Sequence, residues 1–281
     1  MGKKDLTQKN LELCLDVFAD LINVLIYDGK QVVKQEYLHP APTESVYYAE
    51  GVQLKDQLQD VGMDELQDGK IQIRYMIENQ TGIDRYLVFR KAGYQGTGYR
   101  KQYDLKRFFP VVGLVLYWGR KRWKAPHDLK DFFHLKDLPV GIMDNVGLNL
   151  IEMTNLDLET RKKFKSDIRV IVDYLAEREN YNPSRQKLKH PSEVLLMLSA
   201  LTGDVRFEDI VEEVKDKEGI RMCELIDRYE KRGRALGKAE EIVSLGEELK
   251  WSVDEIINRL MNRLQIPDTK AREYYEAYKC R

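Results

Sequence analysis

Residues 70–80 read KIQIRYMIENQ, and this stretch decides the fold. Apolar and polar side chains alternate along it with a period of two, which is the pattern of a half-buried β-strand. The apolar positions are Ile71, Ile73, Tyr75 and Ile77. The strand ends in Glu78, and a carboxylate at the end of a partly buried strand needs a partner or a metal ion to offset lost hydration. We therefore predict a functional site at this end of the sheet.

Asp60 lies eighteen residues before Glu78. Two carboxylates on neighbouring strands can share a hard divalent cation such as Mg²⁺, which takes oxygen ligands and keeps several waters. A cation held in this way can activate a water and stabilise the charge that builds on a phosphate during hydrolysis. Gln80 would lie beside it, because residues i and i+2 of a strand share a face. On spacing alone, Asp60 and Glu78 are equally compatible with solvated carboxylates at strand ends or turns.

The pattern of Asp60, Glu78 and Gln80 resembles the PD-(D/E)xK nuclease superfamily, and within it the Rpn family of recombination-promoting nucleases, also described as putative transposases. Gln80 stands where the superfamily usually has Lys, a substitution that also occurs in the Rpn branch. Gly62 and the pair Asp64-Glu65 depart from the family pattern around Asp60. The resemblance covers roughly residues 5–230, and further segments that carry it are Asp16–Asp20, Ile77–Thr81 with Ile83-Asp84, Phe109–Tyr117 and Phe164–Asp167.

The resemblance implies an α/β fold with a PD-(D/E)xK restriction-endonuclease-like mixed sheet flanked by helices, followed by an all-α C-terminal domain. We expect the nuclease-like domain to span residues 1–155 and the helical domain to span residues 156–281. The implied activity is metal-dependent hydrolysis of DNA phosphodiester bonds by an endonuclease, with a link to recombination or mobile DNA.

The resemblance also assigns roles to individual residues. Asp60 and Glu78 would bind Mg²⁺ or another divalent cation, and the backbone carbonyl of Asn79 would complete the metal site. Gln80 would orient the water or the scissile phosphate, so the catalytic residues would be Asp60, Glu78 and Gln80. The first helix can carry an outer-shell carboxylate, which would be Asp16 or Asp20. A solvated polar face of that helix explains Asp16 and Asp20 equally well.

The formal net charge of −1 hides a basic segment. Between Arg85 and Lys124 the chain carries eleven Lys and Arg residues and a single acidic residue, Asp104. Basic side chains attract the phosphate backbone of nucleic acids, but a solvated surface has the same composition. We expect one basic loop to contact DNA phosphates without reading sequence. Its residues are Arg120, Lys121, Arg122 and Lys124.

Local patterns predict the order of the elements. A helix is expected over residues 9–26 and a second one over 84–106, where Gly93, Gly96 and Gly98 would interrupt its second half. Strands are expected at 45–48, near 58–61, and at 70–78, 111–117 and 148–153, giving an αβββαβ core with one added strand. From about residue 156 onward the periodicity is helical throughout.

Composition narrows the class of protein. A chain of 281 residues with 43% hydrophobic and 33% charged residues is globular and has room for two modest domains. Its three cysteines show no CxxC spacing, and neither a secretory h-region nor an apolar run of membrane-spanning length is present. We therefore expect a cytoplasmic protein with DNA as its partner and no membrane association. If the protein forms a homodimer, we expect the C-terminal helices to provide the interface.

Two other functions fit the same residues. A DNA-binding or interaction protein that has lost catalysis on this fold would explain Gln80 and the departures around Asp60. An RNA-directed nuclease is also compatible, because phosphate contacts do not distinguish RNA from DNA. Divalent-metal binding that depends on Glu78 separates the enzyme from the binding protein.

Overall fold

A computed structural model describes residues 10–49, 53–58, 60–133, 139, 141–183, 185–215 and 219–279, with backbone alone for 44–49 and 53–58. The chain divides into two compact units. The first unit comprises Met1–Asn182 with Lys189–Asp204, and the second comprises Pro183–Leu188 with Val205–Arg281. The boundary expected between a nuclease-like and a helical domain after residue 155 stays a prediction. The first compact unit continues past that residue.

The first unit contains a mixed five-stranded sheet in the order β1-β4-β5-β6-β7. Its β1–β4 and β4–β5 pairs are antiparallel, whereas its β5–β6 and β6–β7 pairs are parallel. The strands are β1 (Leu38–Pro40), β4 (Val61–Gln67), β5 (Lys70–Gln80), β6 (Val111–Tyr117) and β7 (Leu150–Glu152). The expectation of a mixed α/β fold is therefore confirmed.

A two-stranded hairpin, β2 (Glu44–Ala49) and β3 (Gln53–Leu58), lies between β1 and β4 in the chain and forms its own small sheet. The parallel strands β5 and β6 need a crossover connection, which α2 (Leu87–Leu105) provides. Helix α1 (Leu15–Leu25) precedes the sheet. Apart from the hairpin, the observed order is α1-β1-β4-β5-α2-β6 with β7 added. The strand expected at 45–48 lies in the hairpin and not in the five-stranded sheet, whose first strand, β1, was not predicted.

Several short elements complete the first unit. The 3₁₀ helices are Gln35–Tyr37, Leu129–Phe132, Met153–Asn155 and Arg178–Asn180, and the later α-helices are α3 (Leu158–Lys163), α4 (Ile168–Glu177) and α5 (Pro191–Thr202). The core packs around Tyr75, Phe18 and Phe164, each at most 1% exposed. These buried aromatic rings hold the sheet that positions the site.

The second unit is helical. Its helices are α6 (Arg206–Asp209), α7 (Val211–Val214), α8 (Met222–Glu248), α9 (Val253–Leu264) and α10 (Asp268–Tyr278). Helices α8, α9 and α10 share a core of Ala239, Val243, Ile256, Ile257, Leu260, Ala271 and Tyr274. Ser252 and Glu255 form a capping box that begins α9. No helix in the described part of either unit has the length and apolar character to cross a bilayer.

Three predicted elements differ from the structure. The helix expected over 9–26 is interrupted at Leu13-Cys14, so α1 begins at Leu15, and residue 9 lies outside the described residues. The prediction of a strand near 58–61 is wrong, because β3 ends at Leu58 and β4 begins at Val61. Residue 59 lies outside the described residues. Asp60 precedes β4, and its N–H donates to the carbonyl of Ile77 at 3.1 Å.

Helix α2 is continuous over nineteen residues, so the expected interruption by glycines is wrong. Each glycine in a helix interior costs up to about 1 kcal/mol relative to Ala. Burial of apolar residues at the start of the helix offsets this cost, since Leu87 and Val88 are fully buried. The space that a Cβ would occupy at Gly96 and Gly98 is open, which leaves both positions free for substitution.

Candidate active site

The ends of two antiparallel strands bring Asp60 and Glu78 together. Val61 pairs with Ile77 in the β4–β5 ladder, so the residues next to that pair, Asp60 and Glu78, come opposite each other. Asp60 is further held by its Oδ2 atom, which accepts the N–H of Asn79 at 2.6 Å. The eighteen-residue spacing in the sequence is therefore the length of a hairpin whose two ends return to one edge of the sheet.

Glu78 is 5% exposed, and its Oε1 atom has two polar neighbours. Arg90 Nη2 lies at 2.8 Å, and Gln80 Nε2 donates to it at 3.0 Å. Burial raises the pKa of the Glu78 carboxyl to about 7. Arg90 and Gln80 act in the lowering direction, whereas the negative charges of Asp60 and Asp84 raise this pKa further. Glu78 therefore lies in a pocket that disfavours its ionised form unless more positive charge is supplied.

Arg90 reaches Glu78 from α2, and sequence reasoning did not single it out. Its Nη1 atom lies 3.3 Å from Asp84 Oδ2, and its Nη2 atom donates to the hydroxyl of Tyr94 at 3.2 Å. Burial would lower the pKa of Arg90, but Glu78, Tyr94 and Asp84 together raise it. The side chain is 43% exposed, so the guanidinium is both anchored to the site and open to solvent. In the sequence, Arg90 is one of the eleven basic residues between Arg85 and Lys124, and no pattern distinguished it from the others.

A third carboxylate, Glu12, contacts the site from the other face of the sheet. Its Oε2 atom accepts from Asn79 Nδ2 at 2.7 Å, and Asn79 Oδ1 accepts from Trp118 Nε1 at 2.7 Å. The Asn79 side chain is therefore held on both sides, which fixes the backbone between Glu78 and Gln80. Glu12 is fully buried. In the sequence it lies four residues before Asp16, so the only pattern that could have predicted its role is the row of acidic residues at helical spacing that continues to Asp16 and Asp20.

Asp20, one of the two carboxylates expected on the first helix, is 6% exposed. Its Oδ2 atom accepts the backbone N–H groups of Lys165 at 2.8 Å and Ser166 at 2.7 Å. These two bonds tie α1 to the segment between α3 and α4. The structure thus gives Asp20 a bracing contact, and its outer-shell role stays a prediction.

Asp16 lies one turn earlier on α1. His190 Nε2 lies 2.9 Å from its Oδ1 atom, and Lys189 Nζ donates to its Oδ2 atom at 3.2 Å. Burial acts to raise the pKa of Asp16, but the hydrogen bonds and charges of His190 and Lys189 bring it below its ordinary value. The backbone N–H groups of the same two residues donate to Asp167 Oδ2. The outer-shell role of Asp16 also stays a prediction.

The basic loop after β6 has an exposed rim and a buried anchor. Trp123 is 6% exposed and packs edge-on against Tyr117, with ring centroids 5.1 Å apart. Arg122 Nη1 lies 3.3 Å from Glu152 Oε2 on β7. Burial of Trp123 excludes its ring from contact with a base. The exposed basic residues of the loop are those predicted: Arg120, Lys121, Arg122 and Lys124.

The donor atoms at the end of β5 suit a hard cation. Asp60, Glu78 and the main chain of Asn79 provide oxygen atoms, and Mg²⁺ binds through one or two carboxylates while retaining waters. Asp60 raises the pKa of Glu78, so the two negative charges repel each other, and a cation would relieve this repulsion. Within the described part of the chain, no group of three or more His, Cys, Asp or Glu side chains has the arrangement of a metal site. A magnesium ion held by two carboxylates and one main-chain carbonyl would therefore keep several waters.

Comparison with models of known protein families shows which family the chain belongs to. The family model described as putative transposase, YhgA-like, matches residues 43–186, just over half of the 281-residue chain. The chain belongs to the YhgA-like putative transposase family. This is the Rpn family that the sequence pattern resembled, so that expectation is confirmed. Comparisons with curated proteins and with solved structures gave no match.

The part of this YhgA-like chain that matches the family includes both hairpin carboxylates, Gln80, Arg90 and the basic loop. Glu12, Asp16 and Asp20 precede the matched residues, as does all of α1. Family membership supports a transposase- or nuclease-like function for the matched segment.

Proposed function

We propose that this protein is a divalent-metal-dependent DNA endonuclease on a PD-(D/E)xK-type fold. The observation that carries the proposal is the convergence of Asp60 and Glu78 at one end of the β4–β5 hairpin, with Gln80 beside Glu78. Membership of the YhgA-like family supports the class of function and suggests a link to recombination or mobile DNA.

In this proposal Asp60, Glu78 and the carbonyl of Asn79 hold Mg²⁺ or another divalent cation. A bound cation supplies an activated water and neutralises charge on the phosphate. The Gln80 amide orients the water or the scissile phosphate through a neutral hydrogen bond. Glu12 acts as a positioning residue, because its bond to the Asn79 side chain fixes the backbone on which the site is built.

Arg90 supplies the positive charge that Gln80 lacks. Its guanidinium lies against Glu78 and is partly open to solvent, so it can contact a non-bridging phosphate oxygen of the substrate. Arginine suits this task because it stays charged and presents several donors in a fixed plane. The loop of Arg120, Lys121, Arg122 and Lys124 would hold the flanking phosphates of the DNA. If the protein forms a homodimer, the C-terminal helices of the second unit provide its interface.

A second candidate is a DNA-binding or interaction protein that has lost catalysis. The ion pair between Arg90 and Glu78 favours it, because one carboxylate oxygen that would face a metal already has a cation and an amide as neighbours. In that protein the Arg90–Glu78 ion pair would be permanent, and the Gln80 amide would serve only as a hydrogen-bond donor to Glu78. The two candidates differ in divalent-metal binding.

The test is cleavage of plasmid DNA by purified protein with and without Mg²⁺, together with calorimetric titration of the ion. The endonuclease should nick or linearise plasmid only with Mg²⁺, and Glu78→Ala and Asp60→Ala should each abolish both cleavage and metal binding. Asp104→Ala is the matched control, since it removes a carboxylate of α2 whose side chain is 59% exposed. Wild-type protein that neither binds Mg²⁺ nor cuts DNA would establish the non-catalytic candidate.

A further inference from the structure

A cavity of about 300 Å³ lies between α2 and the β5–β6 part of the sheet. Arg74 and Met76 of β5 line it, and these residues share the strand face that continues to Glu78. Two residues of a strand span roughly 7 Å, so the cavity begins about one nucleotide spacing from the candidate active site. Its size is at the lower end of the range for small-molecule sites.

The charge of the cavity lining is one-sided. Four of its seventeen residues are basic and none is acidic, which points to an anionic ligand. Lys101 and Arg107 are exposed, whereas Lys91 is 7% exposed and donates from Nζ to the carbonyl of Gly147. Arg74 is already held in a two-bond ion pair with Asp64. The basic side chains of the lining that are exposed to solvent are therefore those of Lys101 and Arg107.

The lining also contains surfaces suited to a planar group. The ring of Phe109 lies beneath the guanidinium of Arg74, with 5.1 Å between the Arg74 Cζ atom and the ring centroid. Gln102 is 4% exposed, and its Oε1 atom accepts the N–H of Phe109 at 2.9 Å. That bond fixes the orientation of the amide. The Nε2 atom of Gln102 has no hydrogen-bond partner among the described residues.

A buried donor without a partner destabilises the folded protein, and an acceptor atom on a ligand would remove that penalty. A heteroaromatic base carries ring nitrogens and carbonyl oxygens that can accept such a bond. Tyr94 links this cavity to the active site, because it lines the cavity and its hydroxyl accepts from Arg90. A ligand in the cavity would therefore touch a residue that holds the Glu78 partner in place.

We propose that this cavity is a nucleotide-binding pocket that takes one nucleotide, with the base against the Gln102 amide and the phosphate toward Lys101 and Arg107. The choice of a nucleotide over other planar anions rests on the proposed nuclease function. The nucleotide comes either from a displaced residue of the substrate strand or from free nucleotide in solution. A displaced base loses its stacking and pairing, and this loss is smallest in single-stranded or mismatched DNA.

A matched pair of glycine variants tests the pocket. Gly98 lines the cavity and Gly96 does not, both lie in α2, and an added Cβ meets open space at either position. Gly98→Leu should fill the cavity, whereas Gly96→Leu adds the same side chain elsewhere on the helix. Both changes should favour helix formation to the same degree, so a difference between them reports on the cavity and not on folding.

Binding is measured by calorimetry in EDTA, so that neither cleavage nor metal is required. The probes are the four deoxynucleoside 5′-monophosphates, the matching nucleosides, inorganic phosphate, and a single-stranded 12-mer carrying one abasic position that is moved along the strand. We expect monophosphates to bind more tightly than nucleosides or phosphate, with at least a tenfold loss in Gly98→Leu and in the Lys101→Ala, Arg107→Ala double variant. Gly96→Leu should match wild type.

If free monophosphates do not bind, the bound nucleotide would come from the DNA strand. In that case an abasic site at one position should weaken binding of the 12-mer to wild type and to Gly96→Leu, but not to Gly98→Leu. The pocket is refuted if Gly98→Leu and Gly96→Leu behave alike with every probe, or if phosphate alone binds as well as the monophosphates. A pocket that binds nucleotide in a protein that never cuts DNA would refute the endonuclease and leave this inference standing.

Discussion

Replacing Glu78 by Gln should stabilise the metal-free protein, and increasingly so as the pH rises. The pKa of Glu78 rises from its ordinary 4.5 to about 7 in the folded protein. Because the folded state binds the proton more tightly, it is favoured below pH 4.5 and loses this advantage as the pH rises through 7. Ionised Glu78 therefore costs the folded state about 3 kcal/mol at pH 8, and below about 1 kcal/mol at pH 5.

The assay is urea unfolding of wild type and Glu78→Gln in EDTA at pH values from 5 to 8. Both are made in a Trp251→Phe background, which leaves Trp118 and Trp123 of the first unit as the tryptophan reporters. Gln keeps the shape of Glu and still offers an acceptor to Arg90, but it does not titrate. The gain in unfolding free energy of the variant should therefore grow by about 2 kcal/mol between pH 5 and pH 8.

Asp104→Asn serves as the control, because that side chain is 59% exposed and its charge is screened by solvent. Stability profiles of wild type and Glu78→Gln that stay parallel across the whole pH range would refute the reasoning. Saturating Mg²⁺ at pH 8 should stabilise wild type and leave Glu78→Gln unchanged, since a ligand that binds only the folded state adds stability by mass action.

Three further predictions concern other parts of the first unit. Gln80→Lys should retain cleavage, whereas Gln80→Leu should lose about 2 to 4 kcal/mol of transition-state stabilisation, measured as kcat/KM under saturating Mg²⁺; equal activity of the Leu variant would remove Gln80 from the mechanism. Replacing Arg120, Lys121, Arg122 and Lys124 by Ala should lower the slope of log Kd against log salt by roughly 2 to 3 for DNA binding, and an unchanged slope would exclude this loop from the DNA face. Asp20→Asn should lower the unfolding free energy by about 1 to 3 kcal/mol, because it weakens the charged acceptor of two backbone N–H groups; no loss of stability would mean that these bonds do not brace α1.

Elements whose pattern is local were predictable from the sequence. The strand at residues 111–117 was placed with its observed bounds, because a run of seven residues made of six apolar side chains and one glycine is typical of a buried parallel strand. Glycines misled the prediction for α2, since their intrinsic cost is small beside the burial of Leu87 and Val88. Propensity yields to tertiary packing in such cases.

The candidate site was only partly predictable for a related reason. Asp60, Glu78 and Gln80 belong to one hairpin, so spacing along the chain carries information about their distance in space. Glu12 is 67 residues away from Asn79 in sequence, and no local pattern relates them. Arg90 approaches from a crossover helix, and its direction depends on how α2 packs on the sheet. Contacts of this kind become visible only when the elements are assembled.

The balance of charge at the site bears on whether catalysis has been retained. The site contains three carboxylates, those of Asp60, Glu78 and Asp84, against one cationic side chain, Arg90, and the neutral amide of Gln80. If Arg90 had fully replaced a metal ion, its attraction would hold the pKa of Glu78 below the ordinary range, as an ion pair does for Asp16. Burial and Asp60 instead keep the pKa of Glu78 raised, so the site lacks positive charge in the metal-free protein. A divalent cation would supply that charge, and titration of the protein with Mg²⁺ decides between the endonuclease and the non-catalytic binding protein.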